Sequence, residues 1–426
     1  MKTADLAATA EAILRGNDLG HYTRPSPRLY PHQWLWDSAF IALGWAHLDW
    51  PRAVREVDAV LAGQWDNGLL PHIIYNPSVR DYFPGPDWWP DTPPRRRGVV
   101  TSGISQPPVL PTAVYLAGRL QPDEHTRHAW WARVYEPLLA SMRYFSRHRT
   151  IGDSPLVAII HPWEAGLDNS PRWDFAVRLG LAPTRPYRRI DNAVVSQDLR
   201  PTRADYDLYM HLVERIAASG YDMAAYLPRA PFAVYDALFN AVWYRSMNDL
   251  NRIAAALGRP PAASDAELQA FRNAYHATLW HPGSQLFRDC DARTGALVPV
   301  DTAAGLVAIY AGLVDAGQAR AMIEAYRGRC AGCRMIASTP PDQEGFDPVR
   351  YWRGPVWINI NWLVVRGLEA LACTEETRRL AAETMALVET SGLREYYHAR
   401  TGEGIGGSDF SWSAALIIDL LRRPVG

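Results

Sequence analysis

Apolar residues recur at the spacing of α-helices along almost the whole chain. This period places one face of each segment against a core and the opposite face towards water. Strand-like patterns are limited to short apolar runs such as residues 156–160. The segments with helical periodicity are 1–17, 37–48, 51–65, 107–120, 128–149, 203–220, 232–257, 265–280, 303–314, 316–328, 354–371, 374–392 and 410–423. The pattern predicts an all-α protein.

The predicted helices differ in how much of their surface is apolar. Residues 356–365 and 414–422 are apolar on nearly all sides, as buried inner helices are, whereas residues 374–389 have one polar face. An alternation of inner and outer helices predicts an (α/α)6 barrel, a closed toroid. No Pro/Gly/Ser-rich linker divides the chain, so residues 1–426 are expected to form a single domain. An irregular α-solenoid is the structural alternative, although no fixed repeat period is visible.

Two segments without helical periodicity are too long to be simple connections. Residues 76–106 are rich in proline and aromatic residues, and residues 181–202 are basic. We expect both insertions to lie over one mouth of the barrel, and the first to act as a lid. The motifs that carry candidate chemistry precede helices that are predicted to be inner. In a toroid those loops converge on the same mouth.

Composition excludes several classes of function. With 48% hydrophobic and 21% charged residues and a net charge of −1, the chain resembles a soluble globular protein and not a nucleic-acid-binding one. No run of about 18 apolar residues predicts a membrane span, and no signal peptide precedes the first helix, so a cytoplasmic location is expected. A single CxxC pair, Cys330 and Cys333, predicts a surface turn more than a metal site. We expect no metal, no cofactor and a small-molecule partner, and the sequence leaves a homo-oligomer open.

Aromatic residues are more abundant than a core requires. The chain has 17 tryptophans and 20 tyrosines, many of them in Pro/Gly-rich stretches close to carboxylates. Exposed rings beside carboxylates commonly stack on the apolar faces of sugars. The alternative is that these rings only pack at the rim of the fold. Their clustering near acidic residues favours a sugar site.

The segment 161–174, HPWEAGLDNSPRWD, contains three carboxyl groups in one turn, those of Glu164, Asp168 and Asp174. Asn169, Ser170 and Pro171 are typical of a helix start. The dipole of a helix N-terminus would lower the pKa of a nearby carboxyl, whereas burial among tryptophan rings would raise it. The sequence leaves open which effect dominates.

A second pair of candidate acids lies near the C-terminus. Glu395 stands between a helix end and two tyrosines, while Glu403 lies in a Gly-rich and therefore flexible loop. One carboxyl from mid-chain and one from this region would suit a glycosidase. In such an enzyme one carboxylic acid protonates the leaving oxygen, and the other carboxylate activates a water molecule or attacks the sugar directly. Their separation decides between inversion, at about 6.5–9.5 Å, and retention, at about 5–5.5 Å.

Further candidates for binding surround predicted helix starts. Tyr30, Trp34 and Trp36 crowd the helix entry at which Asp37 stands, although Asp37 could also serve as a simple helix cap. His72 follows a turn formed by Gly68 and Pro71, and a ligand contact and a structural role are about equally expected. A further aromatic rim comprises Tyr351, Trp352 and Trp357.

Five of these stretches in order resemble glycoside hydrolase family 63, and within it the bacterial mannosylglycerate and glucosylglycerate hydrolases. They are WLWDSAF (34–40), GQWDNGLLPH (63–72), EAGLDNSPRWD (164–174), YWRGPVWININW (351–362) and EYYHARTGEGIGGSDFSWSAAL (395–416). The resemblance spans nearly the whole chain. It implies an (α/α)6 barrel and a reaction that inverts the anomeric configuration.

The resemblance also assigns roles to residues. It implies that Asp168 is the general acid and Glu395 the base, with Glu403 the less favoured rival. The residues implied to line the sugar subsite are Trp34, Asp37, His72, Trp352 and Trp357. Those implied to hold a glycerate are Tyr30, Tyr82, Gln106, Arg203 and Tyr209. A guanidinium suits a carboxylate because it can donate two parallel hydrogen bonds.

The leading hypothesis is hydrolysis of the α-glycosidic bond in 2-O-α-mannosylglycerate or glucosylglycerate. A second enzymatic hypothesis is an α-glucosidase or trehalase-like enzyme acting on α-linked di- or oligosaccharides. The aglycone pocket would discriminate them, since glycerate needs a cation and hydroxyl donors whereas a sugar needs another stacking ring. The non-enzymatic alternative is a sugar-binding helical toroid whose acids are helix caps.

Overall fold

The computed structural model describes residues 3–95, 98–191 and 195–423, and it is mainly helical, as the periodicity predicts. Residues 96–97 and 192–194 of the two long loops therefore lie outside the described residues. The helices are α1 (Thr3–Asn17), α2 (Leu35–Ala46), α3 (Trp50–Ala62), α4 (Leu110–Leu120), α5 (Glu124–His148), α6 (Asp174–Val177), α7 (Arg203–Ala218), α8 (Met223–Tyr226), α9 (Ala237–Ala256), α10 (Asp265–Leu279), α11 (Val307–Ala311), α12 (Ala316–Arg329), α13 (Ile358–Ala370), α14 (Thr374–Ser391) and α15 (Ser411–Arg422).

Helix starts differ from the periodicity where local chemistry intervenes. Asp236 caps α9 by accepting from the Phe239 N–H, and the two residues before that cap form a short strand where the sequence predicted helix. The predicted helix 303–314 begins as a 3-10 turn and ends at Gly312, whose φ of +70° stops it. An apolar period continues across such interruptions, so periodicity alone places these boundaries too far out.

Six helices form a closed ring of contacts. Helix α2 packs against α4, α4 against α9, α9 against α11, α11 against α13, α13 against α15, and α15 returns to α2. Other helices cover this ring from outside, including α1 on α15, α3 on α2, α5 on α9 and α14 on α13. Helix α13 is buried on nearly all sides while α14 buries one stripe, in agreement with their sequence patterns. The ring joins helices from the two ends of the chain.

Strands are short and lie between the helices. They are β1 (Gln33–Trp34), β2 (Ile73–Ile74), β3 (Ala158–Ile159), β4 (Val234–Tyr235), β5 (Trp280–His281), β6 (Leu286–Phe287), β7 (Cys290–Asp291), β8 (Arg394–Tyr397) and β9 (Gly404–Ser408). They form the antiparallel pairs β1–β2, β5–β6 and β8–β9 and the sheet β3–β4–β7. The hairpin β8–β9 leads into α15, so it lies beside the start of an inner helix.

The two long loops contact each other. The guanidinium of Arg185 lies 4.3 Å from the ring centroid of Trp88, and the rings of Tyr187 and Phe83 stack at 5.3 Å. These contacts join residues 76–106 to residues 181–202 on one side of the ring of helices. Among the residues that the structure describes, no helix is long and apolar enough to cross a membrane.

Candidate active site

A cavity opens where the loops that precede the inner helices meet. It encloses about 690 Å³ of empty space, a volume that includes solvent at its mouth. The two long loops both contribute to its wall. The residues that line it are Tyr30, Trp34, Trp36, Asp37, His72, Ile73, Tyr82, Phe83, Pro84, Gln106, Trp163, Gly166, Asp168, Arg200, Tyr206, Tyr351, Trp352, Glu395, Phe410 and Trp412. Both long loops and several of the candidate motifs thus contribute residues to one cavity.

The turn 161–174 presents Asp168 to this cavity. A 3-10 turn, Pro162–Ala165, ends at Gly166, whose φ is +72°. A Cβ at this glycine would lie 2.6 Å from the ring of Trp36, so only glycine allows the chain to pass. The hydroxyl of Tyr209 donates to the backbone oxygen of Asp168 at 2.8 Å. The backbone is therefore fixed on both sides of the carboxyl.

The three acids of this turn have different surroundings. Glu164 is fully buried and accepts two hydrogen bonds of 2.9 Å from Arg149, one to each carboxylate oxygen. Asp174 accepts from Arg353 at 2.8 and 2.7 Å. Each of these two acids forms an ion pair with an arginine, and the two pairs attach the turn to neighbouring segments. Of the three, only Asp168 lines the cavity.

A buried cluster anchors the turn from behind. Arg172 donates to Asp236 at 2.8 Å and to Asp289 at 2.6 Å, and all three side chains are buried. Asn169 accepts from the backbone N–H of Trp352 at 2.9 Å, which ties the turn to the loop that precedes α13. Removing one partner from such buried charge clusters is strongly destabilising, so the cluster holds the turn in a single position.

Asp168 is held in a setting that favours its protonated form. The pKa of Asp168 is raised to about 7, mainly by burial; the charge of Arg200 lowers this pKa and the charge of Glu395 raises it. Within the described part of the chain, the only hydrogen-bond donor to this carboxyl is its own backbone N–H. Burial therefore dominates over the helix-start effect, which answers the question that the sequence left open.

Glu395 is held in the opposite manner. It lies on β8 with its side chain buried, and its oxygens accept from the Tyr30 hydroxyl at 2.6 Å and from the Gly407 N–H at 2.8 Å. The guanidinium of Arg200 lies 3.6 Å from the same carboxyl oxygen that Tyr30 contacts. These contacts fix the position of the Glu395 carboxyl group inside the cavity.

The shape of the hairpin depends on Gly406. Its φ is +71°, and a Cβ there would lie 2.4 Å from Oε2 of Glu395. By contrast, Glu403 is exposed at the turn of the hairpin and does not line the cavity. The structure therefore brings Glu395, and not Glu403, next to Asp168.

Asp37 and His72 complete the polar lining. Burial raises the pKa of Asp37 well above its ordinary value, and the charges of Glu395 and Asp168 add to this effect. Burial holds the pKa of His72 well below its ordinary value, so the imidazole is neutral. Its Nδ1 lies 2.6 Å from the Ser102 hydroxyl, which leaves the other ring nitrogen for the cavity. Among the lining residues that the structure describes, Arg200 is the only cation.

Most of the residues that the sequence predicted for the site line the cavity. Those found there are Tyr30, Trp34, Trp36, Asp37, His72, Tyr82, Gln106, Asp168, Tyr351, Trp352 and Glu395. Trp357 does not line it, because it stacks flat behind Trp352 at 3.6 Å between centroids and is 1% exposed. It supports the wall and does not face the cavity.

The structure places two of the predicted residues, Arg203 and Tyr209 of α7, outside the cavity lining. Arg203 points outward, pairs with Asp207 at 3.0 Å and has a 60% exposed side chain. Tyr209 lies behind Asp168 and holds its backbone. The residues that do line the cavity are Arg200 and Tyr206, each three positions earlier. Arg200 precedes the helix in an extended segment, where no periodicity indicates which arginine turns inward.

Other lining residues were not predicted as contacts. Trp163, Phe83, Phe410 and Trp412 contribute rings to the wall. Phe410 and Trp412 precede and begin the inner helix α15, as Trp34 and Trp36 do for α2, so the rule that inner helix starts face the mouth could have identified them. In the described ranges, no group of three or more His, Cys, Asp or Glu side chains is arranged to hold a metal ion.

Comparison with known proteins gives a consistent result. Residues 30–413 match the family model of the mannosylglycerate hydrolase MGH1-like glycoside hydrolase domain. A mannosylglycerate hydrolase of Rubrobacter radiotolerans is 39% identical, with 99% of this chain and 97% of the relative covered. A glucosylglycerate hydrolase of Mycolicibacterium hassiacum is 35% identical, with 98% and 97% covered.

Solved structures agree with the sequence relatives. The crystal structure of a GH63 mannosylglycerate hydrolase from Thermus thermophilus in complex with Tris and D-glycerate superposes with a TM-score of 0.91 at 38% identity, covering 97% of this chain and 99% of that chain. The neutral trehalase of Saccharomyces cerevisiae has a TM-score of 0.61 at 16% identity, covering 94% of this chain and 73% of that chain, and so shares the fold alone. The chain thus belongs to the MGH1-like glycoside hydrolases of family 63 and is a glycosidase.

Proposed function

We propose that this enzyme hydrolyses the α-glycosidic bond of a glycosylglycerate with inversion, using Asp168 as general acid and Glu395 as general base. The observation that carries the proposal is that the two carboxyl groups line one aromatic cavity in opposite environments. We also propose that the closed ring of helices and its outer layer form a single-domain (α/α)6 barrel. The segments that precede the ring helices α2, α4, α13 and α15 supply residues to the cavity at its mouth.

The proposed reaction uses each carboxyl once. The protonated Asp168 gives its proton to the glycosidic oxygen as the bond to the anomeric carbon breaks. Glu395 takes a proton from a water molecule, whose oxygen bonds to the anomeric carbon from the opposite face. The products are the free sugar, with its anomeric configuration inverted, and glycerate. Tyr30 and Gly407 hold the base in place through their hydrogen bonds to its two oxygens.

A glycerate is favoured as the aglycone by the single cation of the lining. Arg200 can bind a carboxylate, and the hydroxyls of Tyr82 and Tyr206 line the same cavity. The named relatives act on mannosylglycerate or glucosylglycerate, and D-glycerate is bound in the Thermus structure. Arg200 and Tyr206 thereby take the roles that the sequence assigned to Arg203 and Tyr209.

The two alternatives receive less support. A trehalase-like substrate has a sugar aglycone, which carries no charge for a buried guanidinium, and the trehalase similarity concerns the fold alone. A protein that only binds sugar would not require a carboxyl held protonated near neutral pH, whereas burial raises the pKa of Asp168 to about 7.

The test is a panel of α-mannosylglycerate, α-glucosylglycerate, trehalose and maltose, with the product anomer followed by NMR. We expect both glycosylglycerates to be cleaved well ahead of the disaccharides, and β-glucose to form first from glucosylglycerate. Early α-glucose would contradict inversion. Preferred cleavage of a disaccharide would contradict the substrate, and a protein that cleaves nothing would contradict the catalytic proposal.

A further inference from the structure

Arg200 is shared among several groups at the base of the cavity. Its Nη1 donates to the Tyr30 hydroxyl at 3.0 Å and lies 3.6 Å from Glu395. Its Nε lies 3.3 Å from Asp191, and its carbon Cζ lies 4.4 Å from the ring centroid of Tyr351. The guanidinium is therefore held by Asp191 at Nε, while its Nη1 faces Tyr30 and the Glu395 carboxyl.

The cavity has an imbalance of charge. Three carboxyl groups line it, those of Asp37, Asp168 and Glu395, against the single guanidinium of Arg200. When the guanidinium turns towards the carboxylate of an aglycone, it lies farther from the acids of the cavity, and the aglycone adds a further negative charge near them. In a buried site such interactions are screened much less than in water.

We propose that an anionic aglycone and the catalytic carboxyl groups compete for Arg200, so that binding of the aglycone carboxylate draws the guanidinium away from Glu395 and Asp168. This inference rests on the proposed function, because it takes the aglycone to be an acid. It assigns Arg200 a second role beyond recognition. The carboxylate of the substrate thereby keeps the general acid, Asp168, protonated.

The direction of the effect follows from the groups that face Asp168. Glu395 on β8 raises the pKa of Asp168 and Arg200 lowers it, after the larger effect of burial. Diverting Arg200 therefore raises this pKa above its value of about 7 in the free enzyme. The other titratable groups whose charges interact with Asp168 are Asp37 on α2, Tyr206 and Tyr209 on α7, and Tyr351 before α13. Burial keeps those three tyrosines un-ionised near neutral pH, so they do not compete for the proton.

The consequence is that binding of an acid takes up a proton. Titration calorimetry of the enzyme with D-glycerate at pH 7.5, in buffers of different ionisation enthalpy, measures this number directly. If the pKa of Asp168 rises by about one unit on binding, about half a proton is taken up per glycerate. Glycerol, the neutral analogue, is expected to bind without proton uptake. The measurement requires no turnover.

Three variants separate the contributions. Asp168→Asn is expected to bind glycerate without uptake, because it removes the group that accepts the proton. Arg200→Gln is expected to lose the uptake together with much of the affinity. Arg203→Gln is the matched control, since that arginine is exposed and outside the cavity. It should retain both the affinity and the proton count of the wild type.

The outcomes distinguish this inference from the proposed function. Glycerate binding without proton uptake in the wild type would overturn the sharing of Arg200 and leave glycosylglycerate hydrolysis standing. Uptake that persists unchanged in Arg200→Gln would show that the aglycone acts directly on Asp168, which also overturns it. Failure of glycerate to bind would contradict an anionic aglycone, and hence both proposals.

Discussion

The turn that carries Asp168 and the hairpin that carries Glu395 hold the same functional group in opposite ways. Around Asp168, the hydrogen bonds are made to its backbone oxygen and to the neighbouring side chains of Glu164 and Asp174. The Asp168 carboxyl itself is buried and accepts no side-chain hydrogen bond in the described part of the chain. Around Glu395 the polar contacts go to the carboxyl, from Tyr30 and Gly407. The turn thus fixes the backbone of Asp168 without hydrogen bonds from other residues to its carboxyl group. The hairpin places Glu395 where hydrogen-bond donors contact its carboxyl group directly.

Under the proposed mechanism, this difference assigns the role of acid to one carboxyl group and the role of base to the other. A buried carboxyl that accepts no side-chain hydrogen bond retains its proton near neutral pH and can donate it, whereas the Glu395 carboxyl is held in place by donors to both of its oxygens. Residue type alone does not assign these roles. The assignment depends on which atoms the surrounding polar groups contact.

The largest expected effect comes from removing either carboxyl. Asp168→Asn cannot donate a proton and Glu395→Gln cannot accept one, so each is expected to lower kcat about 10²–10⁴-fold on the preferred glycosylglycerate. Circular dichroism and thermal melting check that both variants fold. The comparison between the two regions would fail if either folded variant turned over at the wild-type rate.

Glu403→Gln is the matched control for the base. This glutamate belongs to the same hairpin, but it is exposed at the turn and outside the cavity. We expect its kcat to remain within about twofold of the wild type, because surface charges away from the site contribute little. A loss comparable to that of Glu395→Gln would transfer the role of base to Glu403.

A smaller effect is expected from moving the base without removing it. In Gly406→Ala the new Cβ would lie 2.4 Å from Glu395 Oε2, so the carboxylate must shift. We expect kcat to fall at least about tenfold, because catalysis depends on the exact position of the reacting groups. Gly402→Ala is the control, since its φ of +77° imposes the same backbone strain of about 1–2 kcal/mol while its Cβ meets Leu387. Both variants should melt lower, but only the first should lose kcat. Equal losses of kcat would mean that strain and not contact is responsible.

The smallest expected effect concerns stability. The pKa of Asp168 is about 7 in the folded protein, above its ordinary value of 3.8, so the folded state binds the proton more tightly than the unfolded chain. The resulting destabilisation is absent below about pH 4, grows as pH rises and is complete above about pH 7. Asp168→Asn removes it. We expect the Tm of this variant to exceed that of the wild type by a few degrees at pH 8 and by almost nothing at pH 4.

Thermal melts across this range check the sign. A difference in Tm that does not change with pH would indicate that the carboxyl is solvated in the folded protein. It would then be held like Glu395, and the contrast between the two regions would disappear.

The helices were predictable from the sequence because helical burial is a local, periodic property. Residues 356–365 are apolar all round and α13 is buried all round, while residues 374–389 have one polar face and α14 buries one stripe. The boundaries were less predictable. The start of α9 is fixed by the cap of Asp236, whereas the apolar period runs on through the preceding strand.

The site was predictable where it belongs to a motif and less so where it depends on orientation. Asp168 and Glu395 lie in stretches with a recognisable pattern, and the structure brings them to one cavity. The sequence predicts Arg203 and Tyr209 as ligand contacts, whereas the residues of this region that line the cavity, Arg200 and Tyr206, lie three positions earlier. One helical turn separates Tyr206 from Tyr209, so both lie on similar faces and only the packing decides which one reaches the cavity.

The sequence by itself determined the set of helices, the class of carboxyl pair and the family. The tertiary structure decided which acid accepts no side-chain hydrogen bond, which acid is hydrogen-bonded and which arginine lines the cavity. Periodicity and motifs record what each residue does within its own segment. Burial and charge at a site are sums over segments distant in the chain, such as the 365 positions between Tyr30 and Glu395. Those sums exist only after the ring of helices has closed.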